Sequence, residues 1–335
     1  MEKNEILAAI RENIAGQGSM VDISGKLPGI LEALVEGAEF AQKTTITLNL
    51  LPKKLEGSAF VEDSEAEGTI IVKGFSAKGE TLPVREIPFS MASGSTLEIE
   101  ATIGDTIGVV GKVPGKGASC QYVQKVVGPV TIHVEIYPAG IYELSDGYLS
   151  PTISGDGYNG CAVVTEDFAI LLPPYQREGW NKDIPWGGLG QRIPFVLKAS
   201  NSIEAIADFD GALNTAAILS VVNDEYCAAK VATIMTEPIN YMKYGMFLPS
   251  AGILKYLYDN RSEINNFIVA ARDEYNPEVE YDLLPSGNSY WTSTDYADEA
   301  AVCAWYVTFG LGNVGDNNRH DTARTFAVFA FQTFI

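Results

Sequence analysis

The chain has 335 residues, 46% of them hydrophobic and 20% charged, with a formal net charge of -20. That composition suits a folded protein long enough for two or three domains. The acidic residues are spread along the chain, which excludes the basic stripe that nucleic acid or an anionic membrane surface requires. No stretch approaches the roughly 18 consecutive apolar residues of a membrane span, so no membrane insertion is expected. The opening MEKNEILAAIRENIAGQGSM carries a charge in every turn, so no secretory signal is expected there.

Residues 1 to 43 read as helical. Ile6, Leu7, Ile10 and Ile14 fall at helical spacing, Gly16 and Gly18 interrupt it, and Leu27, Ile30, Leu31, Leu34 and Val35 resume it. Each stripe is too short for a stable domain alone, which suits attachment or oligomer assembly. From 44 to 137 the period changes to two. Thr45-Ile46-Thr47-Leu48, Thr69-Ile70-Ile71-Val72, Leu97-Glu98-Ile99-Glu100 and Val130 to Glu135 read as strands, with Gly57, Gly68, Gly79, Gly94, Gly104 and Gly128 as turns. This predicts an all-β, immunoglobulin-like antiparallel sandwich acting as a spacer.

Residues 138 to 160, dense in Gly, Pro, Ser and Asp, read as a linker. A mixed α+β domain is expected over 161 to 335. Asn214-Thr215 predicts a helix cap, with the helix running to about Val231. A second helix is predicted from Ser250, with Leu254, Leu257, Tyr258 and Ile264 inward, and strands from Ser289 to the end.

Within that domain the order DGALNTAAI (from Asp210), FLPSAGILKYLYDNRSEIN (from Phe247), SYWTSTDY (from Ser289) and AWYVTFGLGNV (from Ala304), followed by an Arg-containing strand, carries a resemblance. Residues from Gly155 to Ile335 resemble the formylglycine-generating-enzyme type of C-type lectin fold, as used by the variable proteins of diversity-generating retroelements in phage and bacteria. The resemblance implies two helices, a twisted antiparallel sheet and a ligand-binding surface whose codons are mutagenised at adenines. The matching positions are Tyr306, Thr308, Gly310, Leu311, Gly315, Asp316, Asn318, His320, Asp321 and Ala323. Trp291, Trp305, Val307, Phe309, Gly312, Val314 and Arg324 would be scaffold. The final strand departs from the family's Arg-Val-Arg-Pro-Val-like ending, because Arg324-Thr325-Phe326-Ala327-Val328 keeps only the first Arg and the Val.

Elementary geometry agrees with such a division. Residues two apart on a strand share a face, so Tyr306, Thr308 and Gly310 are expected outward while Trp305, Val307 and Phe309 are expected inward. The Asn, Asp and Gly residues from Gly312 to Asp321 also suit a solvated turn. Neither Asp316, Asn318 and His320 nor Asp208, Asp210 and Asn214 completes a calcium loop, and Asp210 and Asn214 suit a brace on the first helix. No metal or cofactor is expected.

Cys120, Cys161, Cys227 and Cys303 are far apart with no CxxC pair and read as buried free thiols. With only His133 and His320 in the chain, no catalytic set stands out, so no enzyme is expected. Gly187-Gly188-Leu189-Gly190 lacks the GK[ST] of a phosphate loop and reads as a turn. The resemblance implies a receptor-recognition protein, expected in a phage tail or virion or alternatively on a bacterial surface. Its partners would be a host cell-surface protein or glycan, and other virion proteins through the N-terminal region. By analogy it would be a trimer. The alternative is a non-diversified structural or adhesive protein on the same fold.

Overall fold

In the computed structural model the described residues are 42–145, 148–153, 158–173, 183–193, 198–234, 245–273, 284–285, 287–297, 301–325 and 328–329. The helix expected over residues 1 to 43 lies outside them up to residue 41, and Lys43 already opens a strand.

The described residues are mostly strand. The first sheet contains β1 (Lys43–Glu56), β2 (Ala59–Glu62), β3 (Glu67–Phe75), β4 (Arg85–Ser90), β5 (Thr96–Thr102), β6 (Thr106–Val113), β7 (Gly117–Ala118), β8 (Tyr122–Lys125) and β9 (Val130–Pro138). Its order is β2-β1-β9-β7-β6-β3-β4, with β5 on β1 and β8 on β6. The alternation predicts the core correctly: Ile46, Leu48 and Leu50 of β1 face Ile132, Val134 and Ile136 of β9 inside it. The pairing differs from a purely antiparallel sandwich, because β1 and β9 run parallel from Ile46↔Val130 to Pro52↔Ile136. Seven strands lie between them, and so long a connection permits a parallel return. Gly68 is no turn but lies within β3, where a Cβ would stand 2.2 Å from the Lys112 carbonyl oxygen.

The stretch from 138 to 160, expected as a linker, holds β10 (Gly140–Ser145), β11 (Tyr148–Ser150) and the start of β12 (Tyr158–Val164). Only Ala139 separates β9 from β10. Tyr142, Leu144 and Leu149 are buried, and the Tyr142 hydroxyl donates to the Pro138 carbonyl at 2.9 Å. Phe60 meets both Tyr137 and Tyr142 edge to face, at 5.1 and 4.9 Å between ring centroids. Apolar side chains therefore override a turn-rich composition, and from Thr45 onward the contacts form one compact unit.

The second sheet runs β11-β10-β12-β13-β21-β16, where β13 is Ala169–Leu172, β16 Met246–Phe247 and β21 Val328–Phe329. A pair of short strands follows, β14 (Ile184–Pro185) with β20 (Thr322–Ala323). The last sheet is β15-β17-β18-β19, from β15 (Lys198–Ala199), β17 (Ser289–Tyr296), β18 (Cys303–Thr308) and β19 (Val314–Asn318).

Five helices are described: α1 (Ser202–Ile206), α2 (Gly211–Val221), α3 (Ala228–Ala232), α4 (Ala251–Asp259) and α5 (Arg261–Asp273). The helix expected from Asn214 to Val231 is thus two. Asp210 is the N-cap of α2, and after Val221 the Asp224 side chain accepts from the Tyr226 amide in a turn. The helix expected from Ser250 begins there and is interrupted at Asn260. Leu254, Leu257 and Ile264 are buried, while Tyr258 is half-buried.

The first sheet caps α2 from outside. Asp210 makes no side-chain capping bond. Instead the Gln121 side chain accepts from the Leu213 amide at 2.8 Å and donates to Asp210 at 2.8 Å. Lys73 pairs with the other Asp210 oxygen at 2.5 Å. Gln121→Ala leaves a helix donor unmet, so it should cost about 1–3 kcal/mol. All four tryptophans lie beyond residue 179. Urea unfolding followed by tryptophan fluorescence should therefore report a loss made on the first sheet, whereas an unchanged midpoint would show the two parts to be uncoupled.

Candidate functional site

The C-terminal strands are held by buried polar groups that composition does not announce. Arg319, just after β19, is fully buried. Its Nε donates to the Cys303 carbonyl at 3.1 Å, and its Nη1 donates to the carbonyls of Gly188 and Gln191 at 3.0 and 2.8 Å. Nη2 pairs with Asp295 on β17. The guanidinium carbon lies 4.4 Å from the Trp186 ring centre. Gly187, Gly188 and Gly190, all at positive φ, let the turn expected there bring its carbonyls to this cation. Burial pushes the Asp295 carboxyl up, and the Arg319 guanidinium pulls it back.

A second node joins three elements. Asp208 is buried, and its Oδ1 accepts from the Asp210 amide at 2.9 Å. Its Oδ2 accepts from the Asn214 side chain at 2.8 Å and the Thr294 hydroxyl at 2.6 Å. Thr294 in turn accepts from the Ala251 amide at the start of α4, at 2.9 Å. The Ser250 hydroxyl donates to the Asp208 carbonyl at 2.7 Å. Asn214 is therefore a brace, as expected, but one turned inward. Burial, reinforced by the neighbouring Asp210 charge, raises the Asp208 carboxyl to about 6.

On this frame β18 divides as its alternation predicts. Trp305, Val307 and Phe309 are buried, Tyr306 and Thr308 are half-buried, and Gly310 is exposed. The Trp305 indole donates to the Ala199 carbonyl at 3.1 Å and packs on Ala205 and Ala251. The Trp291 indole donates to the Ile184 carbonyl at 2.8 Å. Phe309 lies between the rings of Tyr258 and Tyr290, at 5.7 and 5.3 Å. Gly312 has φ +71, and a Cβ there would stand 2.1 Å from the Tyr258 ring. Val314 is half-buried. The half-buried Arg324 belongs to the frame through its backbone, accepting from the Trp291 amide at 2.9 Å and donating to the Ser289 carbonyl at 3.0 Å.

The remaining expected ligand positions separate into two groups. Leu311 is 74% exposed, and Asp316, His320 and Asp321 are exposed. With Gly310 and the outer edges of Tyr306 and Thr308 they are the exposed parts of the β18–β19 hairpin and the turn after it, although Asp316 pairs with Trp305 and so lies on the opposite side of the sheet from Tyr306 and Thr308. The other three have structural duties. Gly315 lies opposite Tyr306, whose phenol ring occupies the space a Cβ would take, at 2.9 Å from the hydroxyl. The Asn318 side chain accepts from the His320 amide at 2.9 Å and its carbonyl from the Asp321 amide at 2.9 Å, so it shapes the turn. Ala323 is only 8% exposed and pairs with Ile184, which removes it from the surface. Asn317 is exposed in the same run and was not anticipated, although an Asn beside other Asn and Asp residues carries the same turn chemistry.

None of the four cysteines is in a disulfide: Cys120, Cys161 and Cys227 are buried and Cys303 is half-buried; burial raises the Cys161 thiol far above its ordinary range. Among the described residues no group of three or more His, Cys, Asp or Glu side chains is arranged to hold a metal, and no helix is long and apolar enough to cross a membrane. Comparison with protein-family models and with curated proteins gave no match to this chain.

Three outcomes test the frame. Arg319→Met strands the Asp295 carboxylate in the interior and should cost about 3–5 kcal/mol in chemical unfolding. Asp295→Asn added to it should recover part of that loss. Arg319→Lys should rescue little, because an ammonium cannot span the same fork of carbonyls.

Asp208 sets a pH dependence. A carboxyl raised from 3.8 to about 6 binds its proton more tightly in the folded state. Its contribution is fully present below about pH 4 and is lost as pH rises through about 6. The stability difference between the wild type and Asp208→Asn should therefore move against the wild type by up to about 3 kcal/mol from pH 4 to pH 7. A difference that stays flat in urea titrations across that range would contradict the assignment.

Proposed function

We propose that the β18–β19 hairpin and its following turn form the recognition face of a ligand-binding protein. The observation that carries it is the division along β18 and beyond: Trp305, Val307 and Phe309 are buried, Tyr306 and Thr308 between them are half-buried, and Gly310, Leu311, Asp316, Asn317, His320 and Asp321 are exposed. A face built this way can change composition at little cost to the fold, since surface substitutions usually shift stability by under about 0.5 kcal/mol. Its tyrosine, asparagine, aspartate and glycine content is also that of adaptable paratopes.

With the resemblance to the retroelement-diversified lectin-like proteins, this becomes a receptor-recognition protein of a phage tail or virion, with bacterial-surface display as the alternative. Its partner is a host cell-surface protein or glycan. Residues 44–137 serve as an immunoglobulin-like spacer, and the N-terminal region attaches to other virion proteins, as a trimer by analogy. The chain is read as a binder and not an enzyme. An adenine-rich near-copy of the codons for residues 306 to 323, with a reverse transcriptase gene nearby, is expected beside its gene if the face is diversified.

The decisive substitution set leaves Gly315, Asn318 and Ala323 alone because they hold the hairpin. Leu311→Ala, Asp316→Ala, His320→Ala and Asp321→Ala combined in the full chain should lower binding to intact bacterial cells and their purified surface fractions at least about tenfold, about 1.4 kcal/mol. Circular dichroism and the unfolding midpoint should stay near wild type. Unchanged binding by a folded variant would instead favour the non-diversified structural or adhesive protein.

A further inference from the structure

A cavity of about 210 Å³ lies between the first sheet and the C-terminal elements, away from the recognition face. Strands β3 and β6 are covered on both sides there. Ile70, Val72, Ile107 and Val109 fill the first core, and Ile71, Lys73, Val110 and Lys112 line the cavity from the opposite face. Ile71 and Val110 remain half-buried, because the layers do not close over them. The far wall is aromatic, made by Phe168, Phe209 and Phe247. Phe168 and Phe209 stack at 5.3 Å with 24° between their planes.

Two ion pairs between the layers border this space. Lys73 holds Asp210 at 2.5 Å and Lys112 holds Asp167 at 2.9 Å. The polar capacity left over is unequal. Both Asp210 oxygens are engaged, by Lys73 and Gln121, and the Ser119 hydroxyl is spent on the Gly111 amide and the Cys120 carbonyl. Asp167 is held only as part of a turn by Thr165 and its side chain is 53% exposed. An ion pair so exposed is worth little, so Lys112 can exchange it for another carboxylate at small cost.

From this geometry we propose that the cavity binds a small aromatic monocarboxylate, its ring between the Ile71–Val110 face and the phenylalanines and its carboxylate on Lys112. An apolar cavity of about 150 Å³ accepts benzene, so this one has room for one ring and a short acidic arm. The site is independent of the recognition face.

Saturation-transfer NMR and thermal shift with the full chain and phenylacetate test it, with 2-phenylethanol as the uncharged control. Saturable phenylacetate binding is expected at up to about 10 mM, roughly tenfold tighter than the alcohol. Lys112→Met should erase that preference, and Asp167→Asn should strengthen binding severalfold by removing the competing carboxylate. Val110→Phe fills the space and should abolish binding of both probes with the unfolding midpoint retained; Ile71→Phe serves the same purpose if that variant does not fold. No saturable phenylacetate binding to the wild type, equal affinity for the alcohol, or binding that survives a folded cavity-filling variant would overturn the proposal.

Discussion

A guanidinium taken out of water must be met on nearly every edge, and Arg319 is met by residues from three separate stretches of chain. Asp295 supplies charge, Cys303, Gly188 and Gln191 supply carbonyls, and Trp186 supplies a ring face. Removing such a cation from water costs several kcal/mol, returned only if the whole set is in place. The hairpin therefore has one arrangement in which the guanidinium is met, and slipping β19 along β18 by a residue would carry Arg319 out of its pocket. Register in strands rich in Gly and Asn is otherwise weakly specified. The buried pair fixes here what the small polar side chains of β19 cannot.

Asp208 performs the same service on the other face of β17. Thr294 reaches the Asp208 carboxylate and the first amide of α4, while Trp291 reaches the Ile184 carbonyl and Asp295 reaches Arg319. Strand β17 is thus gripped by polar contacts on both faces, and its register against β18 shifts between Trp291 and Asp295. The cost of enclosing Asp208 is visible in its raised carboxyl. Protonation relieves that cost without removing its capacity to hold the helices, since one oxygen still accepts.

Much of the architecture was legible because apolar periodicity survives in the folded chain. The strands around Ile46, Ile70, Ile99 and Ile132 and the alternation from Trp305 to Phe309 follow directly from it. The continuous run Ile70-Ile71-Val72 also carried a message, since an apolar strand without alternation is covered on both faces. What stayed hidden depends on partners distant in sequence. Nothing in Asn318-Arg319-His320 distinguishes a buried arginine from an exposed one until Asp295 and Trp186 are brought to it. The stretch from 138 to 160 looked like a linker because turn residues outnumber Tyr142, Leu144 and Leu149, yet those three side chains decide the outcome. Helix α2 misled for a related reason: its N-terminal partner, Gln121, belongs to another sheet.

These constraints narrow what a recognition face on this hairpin can be. A substitution at Gly315 must displace the Tyr306 ring, one at Gly312 meets Tyr258, and Asn318, Arg319 and Ala323 hold the turn and its anchor. Free variation is left to Thr308, Gly310, Leu311, Asp316, Asn317, His320 and Asp321, with Tyr306 coupled to Gly315. Fixed and free positions alternate singly or in pairs. Such interleaving keeps every exposed side chain within one or two residues of an anchored one, so the face can change chemically while its backbone stays in place.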